Sequence, residues 1–340
     1  MTRKNAKRNI LVGAILVIVP IAAALVCLGI GRIMYSPGET ARSVWSVLAQ
    51  GRDGVEKNVY SVLFNMRLPR IILAVLCGSG MAVAGCAFQS LFSNVMATPD
   101  TLGVAAGASF GAVLAILFDA GLILVQASAL LMGVAAVLLT MTFSIKREGS
   151  STVMIILSGI ICSSLFQALT SLVKYVADTD SKLPEITYWL LGSLVNANYK
   201  SLSLGAPFII AGIAVIFLLR WKLNILVLSE DEIRSLGNNL TLLRVLIIGS
   251  ATMITASCIS MCGQIGWIGL LVPHICRMLT GGDHRRLVPA CISFGAVFML
   301  VIDTVARAAT AAEIPISILT AVIGAPIFVA LLRRTGGSMR

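Results

Sequence analysis

Charge is scarce in this sequence. Only 12% of its 340 residues are Asp, Glu, Lys or Arg, against about 25% in a soluble domain. Too little charge is present to cover a globule of this size, which excludes an ordinary soluble enzyme, a disordered chain and a disulfide-stapled secreted module. Histidine is rarer still, with His274 and His284 alone. No Gly-x-x-x-x-Gly-Lys-Ser/Thr loop occurs, so the chain does not hydrolyse a nucleotide by that route. His-Glu-x-x-His, Gly-x-Ser-x-Gly and paired-Asp diphosphate motifs are absent too. The eight cysteines form no Cys-x-x-Cys and sit in or beside apolar runs. Cys258 and Cys262 lie one helical turn apart with no His or acid beside them, so they read as small buried hydrophobes and not as metal ligands. The apolar runs hold almost no Asp, Glu or His. A proton-coupled carrier places such groups inside its spans, so a solute-moving chain of this kind draws its energy from another chain.

What is abundant is apolar: 58% of the residues are hydrophobic and the mean hydropathy is +0.95. A membrane helix takes about 20 apolar residues. Charge-free runs cover 9–31, 71–99, 101–118, 120–145, 149–173, 201–219, 245–276, 287–302 and 314–332. The run 245–276 is too long for one crossing. It contains Gly263-Gln-Ile-Gly266-Trp-Ile-Gly269 and Pro273, residues that interrupt helices, and it divides into a helix to about Cys262 and a shorter one to about Leu279. The fold expected is all-α, with about ten transmembrane helices in a single domain, 1–340. A shorter helix within 184–196 lies at one face, where Tyr188-Trp189 suits an interface.

With the N-terminus inside and strict alternation, the larger share of the 26 basic residues falls on the cytoplasmic side, as the positive-inside bias requires. Both termini are then cytoplasmic. The net charge of +11 is scattered between apolar runs, which argues for membrane orientation and against nucleic-acid binding. An outward cluster between Arg32 and Arg70, in an extracytoplasmic loop of about 32–70, runs against the bias. Arg307 is outward as well and can pair with Asp303 on one helix face. Gly78, Gly80 and Gly85, then Gly103, Gly107 and Gly111, let helices approach closely. His284 reads as part of a solvated polar turn, whereas His274, near the broken helix, suits either packing or function.

Between two spans, Ser229 reads as an N-cap, with Glu230, Asp231 and Glu232 in the first turn and Gly237 as the stop. Ile233 and Leu236 fall on one side of this short helix. It is either a solvated surface helix or a docking helix for a cytoplasmic partner.

Several stretches resemble permease subunits of the ABC importers for iron-siderophore, haem and cobalamin, the FecCD type. They are Arg67-Leu-Pro-Arg70 before a Gly-rich span, Asn94-Val-Met-Ala-Thr-Pro-Asp100-Thr-Leu-Gly, Trp189-Leu-Leu-Gly-Ser-Leu194, Gly263 to His274 followed by Asp283-His-Arg-Arg286, and Ile314 to Pro326. Val95 and Gln264 depart from the family pattern, which has Pro at both. The resemblance implies a type II ABC importer permease fold without enzymatic activity or cofactor, in a bacterial cytoplasmic membrane. It implies a second permease subunit, identical or paralogous, two cytoplasmic ATPase subunits and an extracytoplasmic binding protein, with iron(III)-siderophore as the expected cargo and cobalamin or haem as the alternative. Arg67, Arg70 and Arg307 match positions that dock the binding protein. The segment 223–237, with Leu223, Ser229, Glu230, Ile233, Arg234, Leu236 and Gly237, matches the helices that couple to the ATPase. Asn94, Met96, Ser151 and Thr152 match the cytoplasmic gate. Gly263, Gly266, Gly269, Pro273 and His274 form the helix break along the pathway.

Overall fold

The computed structural model describes residues 3–31, 33–144, 152–228, 230–310 and 312–335, and every regular element among them is helical. In chain order the α-helices are α1 (Arg3–Gly29), α2 (Pro37–Gln50), α3 (Lys57–Tyr60), α4 (Leu68–Leu91), α5 (Val104–Leu117), α6 (Leu122–Ser144) and α7 (Thr152–Val176). There follow α8 (Lys182–Leu190), α9 (Tyr199–Leu219), α10 (Glu230–Ser235), α11 (Leu240–Cys262), α12 (Ile268–Thr280), α13 (His284–Ala308) and α14 (Ile316–Thr335). Seven helical stretches are long and apolar enough to cross a membrane, and three shorter apolar helices, Val104–Leu117, Ile268–Thr280 and Ile316–Leu331, occupy the other expected positions. The long run 245–276 breaks where the glycines stand, between Cys262 and Ile268.

The segment 32–70 is not the loop expected. It contains α2, opened by a capping box between Ser36 and Glu39, and a π-helical stretch, Ser61–Arg67, joins α3 to α4. The chain is therefore helical without interruption from Lys57 to Leu91, about 52 Å at 1.5 Å per residue. Pro69 does not stop it. In the π register the Leu68 N–H reaches back to Leu63 O, so Pro69, which has no N–H, leaves the Phe64 carbonyl free. Tyr199 Oη donates to that carbonyl at 2.6 Å, tying the start of α9 to this helix.

α4 is the hub. Within the span Lys57–Leu91, 83% of the most apolar window is buried, against 17% for α1 and 28% for α7 and α9. A helix apolar all round belongs in the interior, and α4 is ringed by α1, α9, α11, α12 and α13. Its glycines set the spacing. A Cβ on Gly78 would land on the Gly295 carbonyl of α13, one on Gly295 would land on the Gly78 carbonyl, and one on Gly85 would meet the backbone of Gly269 in α12. Gly80 faces Ile254 of α11 instead. Gly107 and Gly111 lie against Met132 and the Ser128 carbonyl of α6, while Gly103 has φ +80° and caps α5 from outside the helix.

α4 and α13 run antiparallel in constant register. Arg70 meets Asp303, Gly78 meets Gly295, Ser79 Oγ donates to Ile292 O at 2.8 Å, and Ser90 Oγ meets the His284 ring. Small residues at such contacts drive helix association where lipid offers no competing hydrophobic effect. Gly78→Leu or Gly295→Leu is expected to abolish recovery of monodisperse protein from membranes. Gly249→Ala, where an added Cβ meets nothing within 4 Å, is expected to leave recovery and melting temperature unchanged. Normal yield of the Gly78→Leu protein would contradict this packing.

Candidate functional site

Functional features gather at the two ends of the α4–α13 pair and at a junction of broken helices between them. At the first end, Arg70 Nε donates to Asp303 Oδ1 at 2.8 Å, and its Nη atoms hold both Glu313 carboxylate oxygens at 2.8–3.0 Å. Arg307 lies 3.6 Å from Asp303 Oδ2, one helical turn away as expected, and donates to Cys27 O. Arg67 donates to Leu28 O, Gly29 O and Ile33 O at 2.9, 3.0 and 2.5 Å. The surface exposure expected of docking residues is not met: Arg67, Arg70 and Arg307 are 8%, 8% and 7% exposed. Their guanidinium groups bind this chain's own carboxylates and carbonyls, because a charge at this depth is stable only when paired or hydrogen-bonded. All three face a cavity of about 440 Å³.

The junction uses unwound backbone. α11 stops at Gly263 (φ +71°), and Gly192, just after α8, has φ +72°. The two lie so close that a Cβ on Gly263 would strike the Trp189 carbonyl and one on Gly192 would approach Gln264 O. Ser193 N–H donates to Cys262 O at 2.8 Å, and Ile316 N–H donates to Gly192 O at 3.0 Å. Backbone that leaves a helix at membrane depth must be satisfied by such partners. Gln264 replaces Pro without removing the break, because Gly263 makes the turn and the Gln264 side chain is exposed. Gly266 O accepts from Ile268 N–H at 2.9 Å around Trp267, whose φ is +70°. This γ-turn is strained for a bulky residue, and it is held by Gly324 of α14 under the indole and by Phe328 at its edge. Pro273, inside α12, leaves Gly269 O without a helical donor; the Gln89 amide of α4 reaches it at 3.4 Å, and Gln89 Oε1 accepts from Arg277 at 3.0 Å. His274 is buried against the Phe328 ring. Beside the junction a cavity of about 710 Å³ is lined by Tyr188, Trp189, Asn196 and Glu313.

The second end carries the segment 222–237. A 3₁₀ stretch, Lys222–Val227, precedes α10. Leu223 and Ile233 are buried and anchor the segment to the core. The outward apolar residues are Val227 and Leu236, 73% and 60% exposed, with Leu228 between them. Ile233 is buried and Leu236 exposed, so the two do not form one outward apolar face as expected. Glu230 binds Arg244 of α11 at 2.7 Å and lies 3.9 Å from Arg234. Gly237, at φ +74°, ends α10 as its sequence position requires. Ser229 and Ser151 lie outside the described residues, and Thr152 opens α7. Asn94 and Met96 sit on the exposed connector after α4, where Met96 N–H donates to Asn94 Oδ1 at 2.9 Å. On the same connector, burial pushes the Asp100 carboxyl up to about 6.

Asn224 connects this segment to the helix pair, and no sequence motif announced it. Its Oδ1 accepts from His284 N–H at 2.9 Å and from His284 Nδ1 at 2.7 Å, and its Nδ2 donates to Asp283 Oδ1 at 2.9 Å. Asp283 caps α13 through Arg285 N–H. That bond and the Asn224 amide hold its carboxyl below the usual carboxylate range. His284 is not the solvated turn residue expected: it is buried, bound on one side by Asn224 and on the other by Ser90 of α4. Glu313 was missed as well; its signal was a lone acid just ahead of the last apolar run.

These features make a scaffold for moving a solute, with helix breaks at its centre and a surface segment wired to its core. A model of the FecCD transport family matches residues 15–334. The chain belongs to the FecCD transport family. It is 41% identical over 322 residues, 94% of each chain, to the molybdate import system permease protein MolB of Haemophilus influenzae. It is 33% identical to the Fe(3+)-citrate import system permease protein YfmE of Bacillus subtilis, covering 98% of this chain and 97% of that one. With the cobalamin import system permease protein BtuC of Halobacterium salinarum it shares 34% over 82% of this chain and 75% of that one. A solved metal-chelate type ABC transporter in an inward-facing conformation superposes with a TM-score of 0.84 at 38% identity, over 94% of this chain and 97% of that one. This FecCD protein is thus a multi-pass membrane permease of an ABC importer.

Asn224→Ala removes the one side chain that bonds both Asp283 and His284. The expected result is a loss of about 1–3 kcal/mol, measured as a lower melting temperature of the permease in detergent, with a severalfold drop in ATP-driven uptake. An unchanged melting temperature would contradict the network.

Proposed function

We propose that this permease imports a metal centre wrapped in oxygen ligands and carried as an anion, an iron(III)-siderophore or citrate-type chelate or molybdate itself. Two kinds of observation support that class. The relatives include permeases named for molybdate and for Fe(3+)-citrate, both oxygen-ligated metals. The three arginines that face the cavity at the first end favour anionic cargo over a neutral one. The observation that carries the transport reading itself is the coupling segment, which is exposed and apolar outside and bonded to the core inside.

In this reading the Asn224 end faces the cytoplasm. It gathers Arg220, Lys222, Arg234, Arg244, Arg277, Arg285 and Arg286, as the positive-inside bias requires. α1 starts at this end, beside Arg285 and Pro289. α14 starts at the opposite junction, so both termini are cytoplasmic. Two cytoplasmic ATPase subunits dock on Val227, Leu228 and Leu236 and perform all the ATP hydrolysis. A binding protein delivers cargo at the Arg70 end. A second permease, identical or paralogous, faces α7, whose exposed Ser164, Gln167 and Ser171 form a narrow polar stripe at helical spacing. ATP binding draws the coupling segments together, Asn224 passes the movement to α13 and α4, and the pathway changes its open side through the connector at Asn94 and Met96 and the start of α7 at Ser151 and Thr152.

Val227→Asp with Leu236→Asp is expected to abolish co-purification of the ATPase while the melting temperature of the permease stays unchanged. Retained co-purification would remove the docking surface from this account. Cargo is read by uptake of radiolabelled molybdate, ferric citrate, a ferric siderophore, haem and cobalamin into cells expressing the complete importer. Accumulation of molybdate or of a ferric chelate is expected, and the separate arms distinguish the two. Accumulation of cobalamin or haem alone would overturn the proposed class.

A further inference from the structure

The group at the first end carries unequal charge. Three buried guanidinium groups, Arg67, Arg70 and Arg307, face one cavity, and the carboxylates paired among them are Asp303 and Glu313. One positive charge is left over, and the partners identify it. Arg70 holds both carboxylates, and Arg307 lies against Asp303. Arg67 has neutral backbone carbonyls as hydrogen-bond partners and no carboxylate within ion-pair distance among the described residues. Gly31 makes this arrangement possible, because a Cβ there would fall 2.5 Å from Arg67 Nη2. Carbonyl dipoles offset part of the desolvation of a buried cation, but a counter-anion offsets much more. Arg307 lines the same cavity, its Nε 3.6 Å from Asp303 Oδ2, so its charge is shared with that carboxylate.

The cavity is about 440 Å³ and adjoins the larger one beside the helix junction, since Val195 and Glu313 line both. Its lining is otherwise apolar or neutral, with Asn65 and Met66 exposed at the protein surface. A cation-lined chamber that opens outward and leads past one carboxylate into the next cavity has the form of an entry site. We propose that this chamber binds a small oxyanion, of the molybdate or carboxylate-chelate kind, through the uncompensated charge of Arg67 on its wall. Glu313 is then the electrostatic divider that limits how tightly the anion is held before it moves on. The inference deepens the cargo reading given above and rests on it for the identity of the anion, but not for the existence of the site.

The test is equilibrium binding of radiolabelled molybdate to the purified full-length permease in detergent, with sulfate, citrate and chloride as competitors. Binding displaced by molybdate and citrate but not by chloride is expected. Glu313→Gln removes one negative charge from the lining and is expected to tighten binding roughly tenfold, and Asn65→Asp, at an exposed position, to weaken it roughly tenfold. Arg67→Gln is expected to abolish binding. Because that variant removes three hydrogen bonds and risks misfolding, the two acidic-balance variants carry the decision. No binding to well-folded protein, or affinity indifferent to both Glu313→Gln and Asn65→Asp, overturns the site. Molybdate or ferric uptake in cells without anion binding here refutes the site and leaves the cargo class standing. Anion binding here in cells that accumulate cobalamin alone does the reverse.

Discussion

The close backbone approach of α4 to α13 is the constraint on which the rest of this permease depends. Gly78 and Gly295 allow it, and their carbonyls fill the space any larger residue would take. Once that contact is fixed, the antiparallel register follows, and it delivers Arg70 to Asp303 at one end and Ser90 to His284 at the other. Neither polar pair would be stable alone at that depth. A buried ion pair with a broken or misplaced partner costs about 3–5 kcal/mol, so the packed middle and the polar ends require one another.

In the proposed function, the arrangement also gives the segment 222–237 something rigid to act on. Leu223 and Ile233 anchor it by burial, and Asn224 bonds it to the cap and first residue of α13. The segment is thereby bonded to a helix pair that crosses the whole molecule, the route by which the proposed coupling would act. The neighbouring helices differ in kind. α7 and α9 are mostly exposed. Weakly packed elements of this sort are the ones a switching transition moves.

Much of this was legible in the residues. The apolar runs mark the ten helical positions because lipid demands apolar length, and Gly263 marks the break because no side chain tolerates that turn so close to Trp189 and Gly192. The stop at Gly237 was legible because a helix end in the left-handed region, here φ +74°, favours glycine. Partner identity across long separations was not. Arg67, Arg70 and Arg307 read as outward cations because sequence shows charge and position but not the carboxylate of Glu313 or the carbonyls of α1 folded beside them. His284 read as solvated because the polar run 281–286 gives no hint that Asn224, some 60 positions earlier, closes over it. The continuous helix through Pro69 was hidden because proline predicts a start, whereas a π-helical register and Tyr199 absorb the missing bond.

In the proposed mechanism α4 and α13 move as one body, driven through the segment 222–237. Ile72 on α4 and Val301 on α13 are exposed positions in matching register, and the eight native thiols are buried, so spin labels can be placed on cysteines introduced at these two sites. The decisive measurement is their spin–spin separation in the importer reassembled in lipid vesicles with its ATPase, with and without ATP. The account predicts the same separation in both states, during active uptake. A separation that changes with nucleotide would show that the two helices slide or part, and would contradict it.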